Sequence, residues 1–241
     1  MTLRWWSRNG VASTAKADGS PVTEADVAAE EAVLNAVREA RPGDGFVGEE
    51  IGERLGTTGC RWIVDGIDGT RFFAAGLAQW GSLIALQSEG EIVLGLTSSP
   101  AQDRRWWATR GDGAFTGRSR SRSTDTRIHV STERRLRADR FITLPAHGAL
   151  PVHRQQIVEQ LAGGPPADQP WSHANRVAEG QADVCVWFCG DIWDHAAPPV
   201  LVEEAGGRFR DHWGGRRLDT RTAIYSNGVR HDEVLAALAS S

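Results

Sequence analysis

Residues 60–73 read CRWIVDGIDGTRFF, an apolar run that delivers two acids, Asp65 and Asp68, and then passes straight into Gly69-Thr70. Two carboxylates at the end of a buried strand constrain any fold that contains them, because unpaired like charges out of water repel each other. Either the two are held apart in solvent, or cations lie between them. Carboxylate oxygens are the hard donors that Mg²⁺ takes, and they leave positions for water and for substrate phosphate. A turn here can aim both acids at one point, with the Ile67 carbonyl between them. Gly69-Thr70 then opens a short helix whose free N–H groups and dipole suit an anion. Acids for metal beside a helix start for phosphate are what metal-assisted phosphate-ester hydrolysis requires.

Three further acids stand in unusual settings: Asp26 in the first turn of a predicted helix, Glu49 in GEE, and Asp194 in IWDHAA. Taken singly each reads as a cap or a surface residue. Asp26, three residues after Thr23, fits a capping box. Taken together with their apolar flanks, the five acids point to a metal centre.

The rest of the chain reads as α/β or α+β in two layered halves, residues 1–122 and 123–241. From Thr23, which can cap, a stripe of Ala29, Val33, Leu34 and Val37 predicts a helix that Pro42-Gly43 ends. WGSLIALQ and IVLGLTSS form a predicted hairpin, and DRRWWATRGDGAF a further pair of strands. GRSRSRSTDTR, residues 117–127, is low in complexity and reads as an exposed loop joining the halves. Beyond it strand and helix alternate: RFITL, a helix near 153–161, a turn in GGPPADQP, a helix around ANRVAEG, ADVCVWF, a helix over AAPPVLVEEAGG, GRFRD, AIYSNG and a terminal helix DEVLAALA.

A formal net charge of -4 and a pI near 6.0 argue against a protein built to hold nucleic acid or an anionic membrane. No run approaches the roughly 20 apolar residues of a membrane span, and MTLRWWSRNG has no apolar centre of a secretory signal, so a cytoplasmic protein is expected. Three cysteines, Cys60, Cys185 and Cys189, lack the partners of a zinc site and read as reduced core thiols.

KADGSPVTEAD (16–26), GEE (48–50), WIVDGIDGTRFF (62–73), IWDHAA (192–197) and EEAGG (203–207) resemble the inositol monophosphatase family of metal-dependent, lithium-sensitive phosphatases, in order and spacing across nearly the whole chain. The resemblance implies a five-layered αβαβα sandwich and a cofactor of two or three Mg²⁺ ions. It implies metal binding by Glu49, Asp65, the Ile67 carbonyl, Asp68 and Asp194, with Asp26 at a further metal or holding a water. Glu49 and Thr70 would position the attacking water, and the Gly69 and Thr70 amides would take the phosphate. Lys16, the only lysine, matches one the family often carries near the site. A homodimer acting on a small phosphorylated metabolite is implied as well.

Within the family, LRWW, RPGDGFVGEE, AQWGSLIALQ, RRWWATRGDGAF and SNGVRHDEVL look most like bacterial histidinol-phosphate phosphatases, making L-histidinol phosphate the expected substrate. Trp187 stands where the inositol enzymes carry a substrate-binding acid, and an indole cannot accept hydrogen bonds from sugar hydroxyls, which disfavours inositol phosphate. His173 and Asp191 are further candidates for contact with the leaving group. His195, next to a ligand, reads as a packing residue. Three departures from the pattern are expected to matter. Gly66 replaces a proline and frees a backbone angle at the metal turn; the 146–176 region is short; Pro198-Pro199 must lie in a first turn or kink a helix. Another amino or sugar phosphate of specialised metabolism, or a weakened relative that binds a phosphorylated ligand, are the alternatives.

Overall fold

A computed structural model describes residues 2–166 and 173–239, the side chains of 122–124 excepted. In chain order the first half contains β1 (Thr14–Ala15), β2 (Pro21–Val22), α1 (Glu24–Ala40), β3 (Gly45–Gly48), β4 (Gly52–Arg54), β5 (Cys60–Asp68) and α2 (Thr70–Ala74). A meander follows: β6 (Gly81–Ser88), β7 (Glu91–Ser99), β8 (Arg104–Thr109), β9 (Gly113–Arg118) and β10 (Ser121–Ile128). Then come β11 (Phe141–Leu144), α3 (Val152–Ala162), α4 (His173–Ala178), β12 (Val184–Trp187), α5 (Ile192–Glu204), β13 (Arg208–Arg210), β14 (Ala223–Ser226) and α6 (His231–Ala239).

Alternation of side chains along the strands sorts these elements into layers. The large sheet has eight strands in the order β10-β9-β8-β7-β6-β5-β3-β4, with only β3 and β5 parallel. Phe46 and Val64 point from it toward Leu34 of α1, whereas Val47, Ile63, Leu83 and Trp106 point the other way, toward α5. The smaller sheet has the order β11-β12-β14-β13. Its Cys185 and Tyr225 join the core around α5, while Val184, Val186 and Ile224 face α3 and α6. The stack is therefore α1 and α2, the large sheet, α4 and α5, the small sheet, α3 and α6: the expected αβαβα sandwich.

The central helix lies almost on the backbone of the large sheet. A Cβ on Gly95 of β7 would fall 2.4 Å from the Ala197 carbonyl oxygen, so only glycine lets α5 approach this closely. That depth brings the start of α5 level with the end of β5.

Two expectations need correction. Residues 117–127 are not an exposed loop: they are the ends of β9 and β10, paired from Ser121–Arg118 to Ile128–Ala114, and the chain leaves the large sheet only after Ile128. β10 is an edge strand, where polar and charged side chains are the rule, so it carries little apolar alternation to read. Its arginine-rich surroundings are paired, Arg105 with Asp125 at 2.9 Å and Arg118 with Asp103 at 2.7 Å. Pro198-Pro199 do not lie in a first turn, because α5 begins earlier, at Ile192, where an Asp191–Asp194 capping box sets its start, and both prolines fall inside the helix. The predicted turn in GGPPADQP falls partly outside the described residues.

Gly95→Ala is expected to cost about 1–3 kcal/mol by overpacking the sheet against α5, seen as a lower midpoint in urea with an unchanged slope; an unshifted midpoint would show that α5 can retreat without penalty.

Candidate active site

Along a regular strand, residues three apart point to opposite faces. β5 breaks that rule. Asp65 pairs with Leu83 and Asp68 with Gly81, so three steps on β5 match two on β6, the signature of a β-bulge. The extra residue leaves Gly66 and Ile67 both on the α1 side, where a Cβ on Gly66 would meet the Asp26 carbonyl oxygen at 2.7 Å and Ile67 packs with Ala25 and Ala29. Asp65 and Asp68 consequently share the other face. Ser82 Oγ donates to the Gly66 carbonyl at 2.7 Å and holds the bulge. Gly66 has a packing role besides the backbone freedom its place in the sequence pattern suggested: its missing side chain is the space that α1 occupies.

Asp194, from the first turn of α5, completes a cluster in which oxygens of Asp65, Asp68 and Asp194 all lie within 4.8 Å of one another. Its Oδ2 accepts the Asp191 N–H at 2.6 Å, which fixes its rotamer. Burial, and then the charge of Asp68, pushes Asp194 up to about 8. Burial, and then Asp68, Glu49, Asp194 and Glu30, raises Asp65 well above the carboxylate range. The four charges that weigh most on Asp65 are all negative. Converging hard oxygens under mutual repulsion fit a divalent cation of the Mg²⁺ or Ca²⁺ type.

Glu49 stands beside this cluster rather than in it. Its Oε1 accepts from Lys16 Nζ at 2.6 Å, and Lys16 also pairs with Glu50. Burial would lower the lysine, but the hydrogen bonds and charges of the two glutamates outweigh it and raise it. Asp26 is a cap and a site neighbour at once. Its Oδ2 accepts from Thr23 N and Oγ1 at 2.8 and 2.5 Å, closing the capping box, and its Oδ1 accepts from Thr70 Oγ1 at 2.8 Å. The Ile67 carbonyl lies 3.0 Å from the same hydroxyl. Gly69 enters α2 at φ 84°, a left-handed conformation that glycine adopts freely.

Asp68, Gly69 and Asp194 open into a cavity of about 230 Å³ walled by Phe72, Leu83, Leu144 and Trp187, with His173 on its rim. Trp187 gives its indole N–H to Cys185 Sγ at 3.1 Å and so offers the cavity a ring and no acceptor. Thr97, beside Leu83 in the large sheet, and Asn175 of α4 also line the wall; Thr97 Oγ1 and Asn175 Nδ2 have no hydrogen-bond partner among the described residues. Asp191 is not part of this wall and faces Arg221 at 3.6 Å. His195 packs on Trp187 and reaches the Cys189 carbonyl through Nε2 at 3.1 Å; burial pushes it down to about 4. Of the cysteines only Cys185 is a core thiol, since Cys189 lines the cavity and Cys60 is half-buried.

The inositol monophosphatase family model matches residues 4–241. The chain belongs to the inositol monophosphatase family. It is 38% identical to a histidinol-phosphatase of Mycobacterium tuberculosis over 92% of this chain and 86% of that protein. It is 39% identical to a protein of Streptomyces griseus named glucose-1-phosphate thymidylyltransferase, over 93% and 86%. The solved structure of the extragenic suppressor protein suhB from Bartonella henselae superposes with a TM-score of 0.81 at 32% identity, over 94% of this chain and 88% of that one. As a member of this metal-dependent family, the protein is a phosphoric monoester hydrolase. No helix among the described residues is long and apolar enough to cross a membrane.

In the inositol monophosphatase fold seen here, metal-free folding carries protons into the site. A carboxyl at about 8 in the folded chain and about 4 in the unfolded one makes the folded state bind more protons between those values, so stability falls as pH rises through that window. Mg²⁺ relieves this. Calorimetry in EDTA and in Mg²⁺ should show a larger rise in Tm on adding Mg²⁺ at pH 8 than at pH 5.5, each kcal/mol moving Tm by about 2–4 °C; equal rises would contradict the linkage.

Proposed function

We propose that the protein is a Mg²⁺-dependent phosphatase that hydrolyses L-histidinol phosphate to L-histidinol and phosphate. The observation that carries this reading is the carboxylate cluster opening onto an aromatic, acceptor-poor cavity. Mg²⁺, as two or three ions on Glu49, Asp65, the Ile67 carbonyl, Asp68 and Asp194, would supply positive charge to the phosphate oxygens and acidify water for attack on phosphorus.

The chain's own groups do the positioning. The Thr70 hydroxyl, held by Asp26, orients the attacking water, and Glu49, steadied by Lys16, takes up its proton. The Gly69 and Thr70 N–H groups face the phosphate. Phe72 and Trp187 suit a flat ring, and Thr97 Oγ1 and Asn175 Nδ2 are donors to spare for a ring nitrogen. A polyhydroxylated ring would lose hydrogen bonds to water in such a cavity and recover few. His173, which lines the cavity, would contact the leaving group, and Asp191, an ion-pair partner of Arg221 outside the cavity wall, would meet its ammonium. The protein would act as a cytoplasmic homodimer, with residues 1–122 supplying most ligands and 123–241 supplying Asp194.

The second reading is another small amino or sugar phosphate, favoured by the Streptomyces griseus relative whose name concerns glucose 1-phosphate. A weakened, ligand-binding role is motivated by the short 146–176 region and draws less support from Gly66, whose missing side chain makes room for α1. With Mg²⁺, phosphate release from histidinol phosphate is expected to exceed that from inositol 1-phosphate, to be inhibited by Li⁺, and to fall more than about 100-fold in Asp68→Asn, beyond the usual cost of losing a supporting partner. Turnover of a sugar phosphate alone would select the second reading, and no turnover across a broad panel of esters would remove the enzyme reading.

A further inference from the structure

Glu30 is fully buried, four residues after Asp26 on α1, and so on the same face one turn along. Its carboxylate accepts the Glu50 N–H at 3.0 Å and the Ile51 N–H at 3.0 Å, both on Oε2, with Oε1 3.2 Å from Glu50 N. One side chain therefore receives N–H groups from the turn that carries Glu49 and packs its stem against the bulge that separates Asp65 from Asp68.

Both segments carry glycine where they pass it. A Cβ on Gly48 would lie 2.3 Å from Glu30 Oε2, and one on Gly66 would lie 3.0 Å from Glu30 Cγ. A glutamine could not substitute without loss. It offers one acceptor oxygen, and its NH₂ would face N–H groups that need an acceptor. Helix α1 thus fixes Thr70 through Asp26 and the two acid-bearing segments through Glu30, one turn apart.

We propose that Glu30 is a positioning residue that sets the separation between Glu49 and the Asp65–Asp68 bulge, so that divalent-cation affinity depends on it. The proposal rests on Glu49, Asp65 and Asp68 being the metal-binding groups, and its first control tests that separately: wild-type protein that binds no Mn²⁺, read by paramagnetic resonance without substrate, overturns that reading and the proposal with it. Glu30→Gln is expected to bind Mn²⁺ about 10–100-fold more weakly. The Mg²⁺ concentration for half-maximal phosphate release should rise by the same factor, with kcat at saturating Mg²⁺ within about threefold of wild type. A folded Glu30→Gln with wild-type Mn²⁺ affinity overturns the proposal. Should that variant fail to fold, Gly48→Ala, which keeps Glu30 and crowds its Oε2, must show the loss of Mn²⁺ affinity; a folded Gly48→Ala with wild-type affinity, or failure of both variants to fold, assigns Glu30 to the scaffold alone and overturns it.

Discussion

One extra residue in β5 decides the chemistry of this molecule. Without it Asp65 and Asp68 would point to opposite faces of the sheet, one toward α1 and one toward α5. The bulge turns the i, i+3 spacing into a same-face pair. It also places Gly66 and Ile67 together on the α1 side, where Gly66 clears the Asp26 carbonyl and Ile67 fills the core. The strand's irregularity is compensated on both faces, by packing on one and by convergence of acids on the other.

That convergence is costly in the absence of cations. Asp65 is almost completely buried, and Asp194, contributed by a helix from the other half of the chain, adds a third carboxylate to the same space. The fold accepts the cost because α5 is held there by a core that has nothing to do with charge. Gly95 admits its backbone, and its Ala197, Val200 and Leu201 are buried between the two sheets. Apolar burial drives the docking, and the acids come with it. The acids are thus held together by packing that does not depend on them, and a site ordered by other contacts binds a hard cation without a large ordering penalty.

Much of this was legible in the sequence. Apolar period marked α1, the β6–β7 hairpin, β12 and α6, and the acids in GEE, DGIDGT and IWDHAA stood out by their apolar flanks. What escaped was whatever depends on a partner strand. β10 was mistaken for a loop because an edge strand has little apolar alternation to show. The packing role of Gly66 is hidden because a bulge exists only in the register with β6, which one strand's residues do not reveal. Glu30 reads like any helical glutamate until Glu50, Ile51 and Gly66 are seen to converge on it. Leu83, Thr97, Leu144 and Asn175 line the cavity from four different elements and share no local pattern.

The cavity explains how a family organised around one phosphate chemistry can change its leaving group without touching its acids. The three clustered carboxylates sit on β5 and α5, whereas the far wall is drawn from β7, β11, α4 and β12, elements that carry none of them. Trp187 is the clearest case. It occupies a strand position facing the central core, spends its only donor on Cys185, and meets Tyr225 edge-on at 5.6 Å, so packing and not a flexible contact fixes the ring it presents to the cavity. Under the proposed function, an indole here instead of an acid would turn a subsite that accepts hydroxyl protons into one that favours a ring. The carboxylate cluster, backed by α1 on the opposite face of the large sheet, would be left undisturbed by such an exchange.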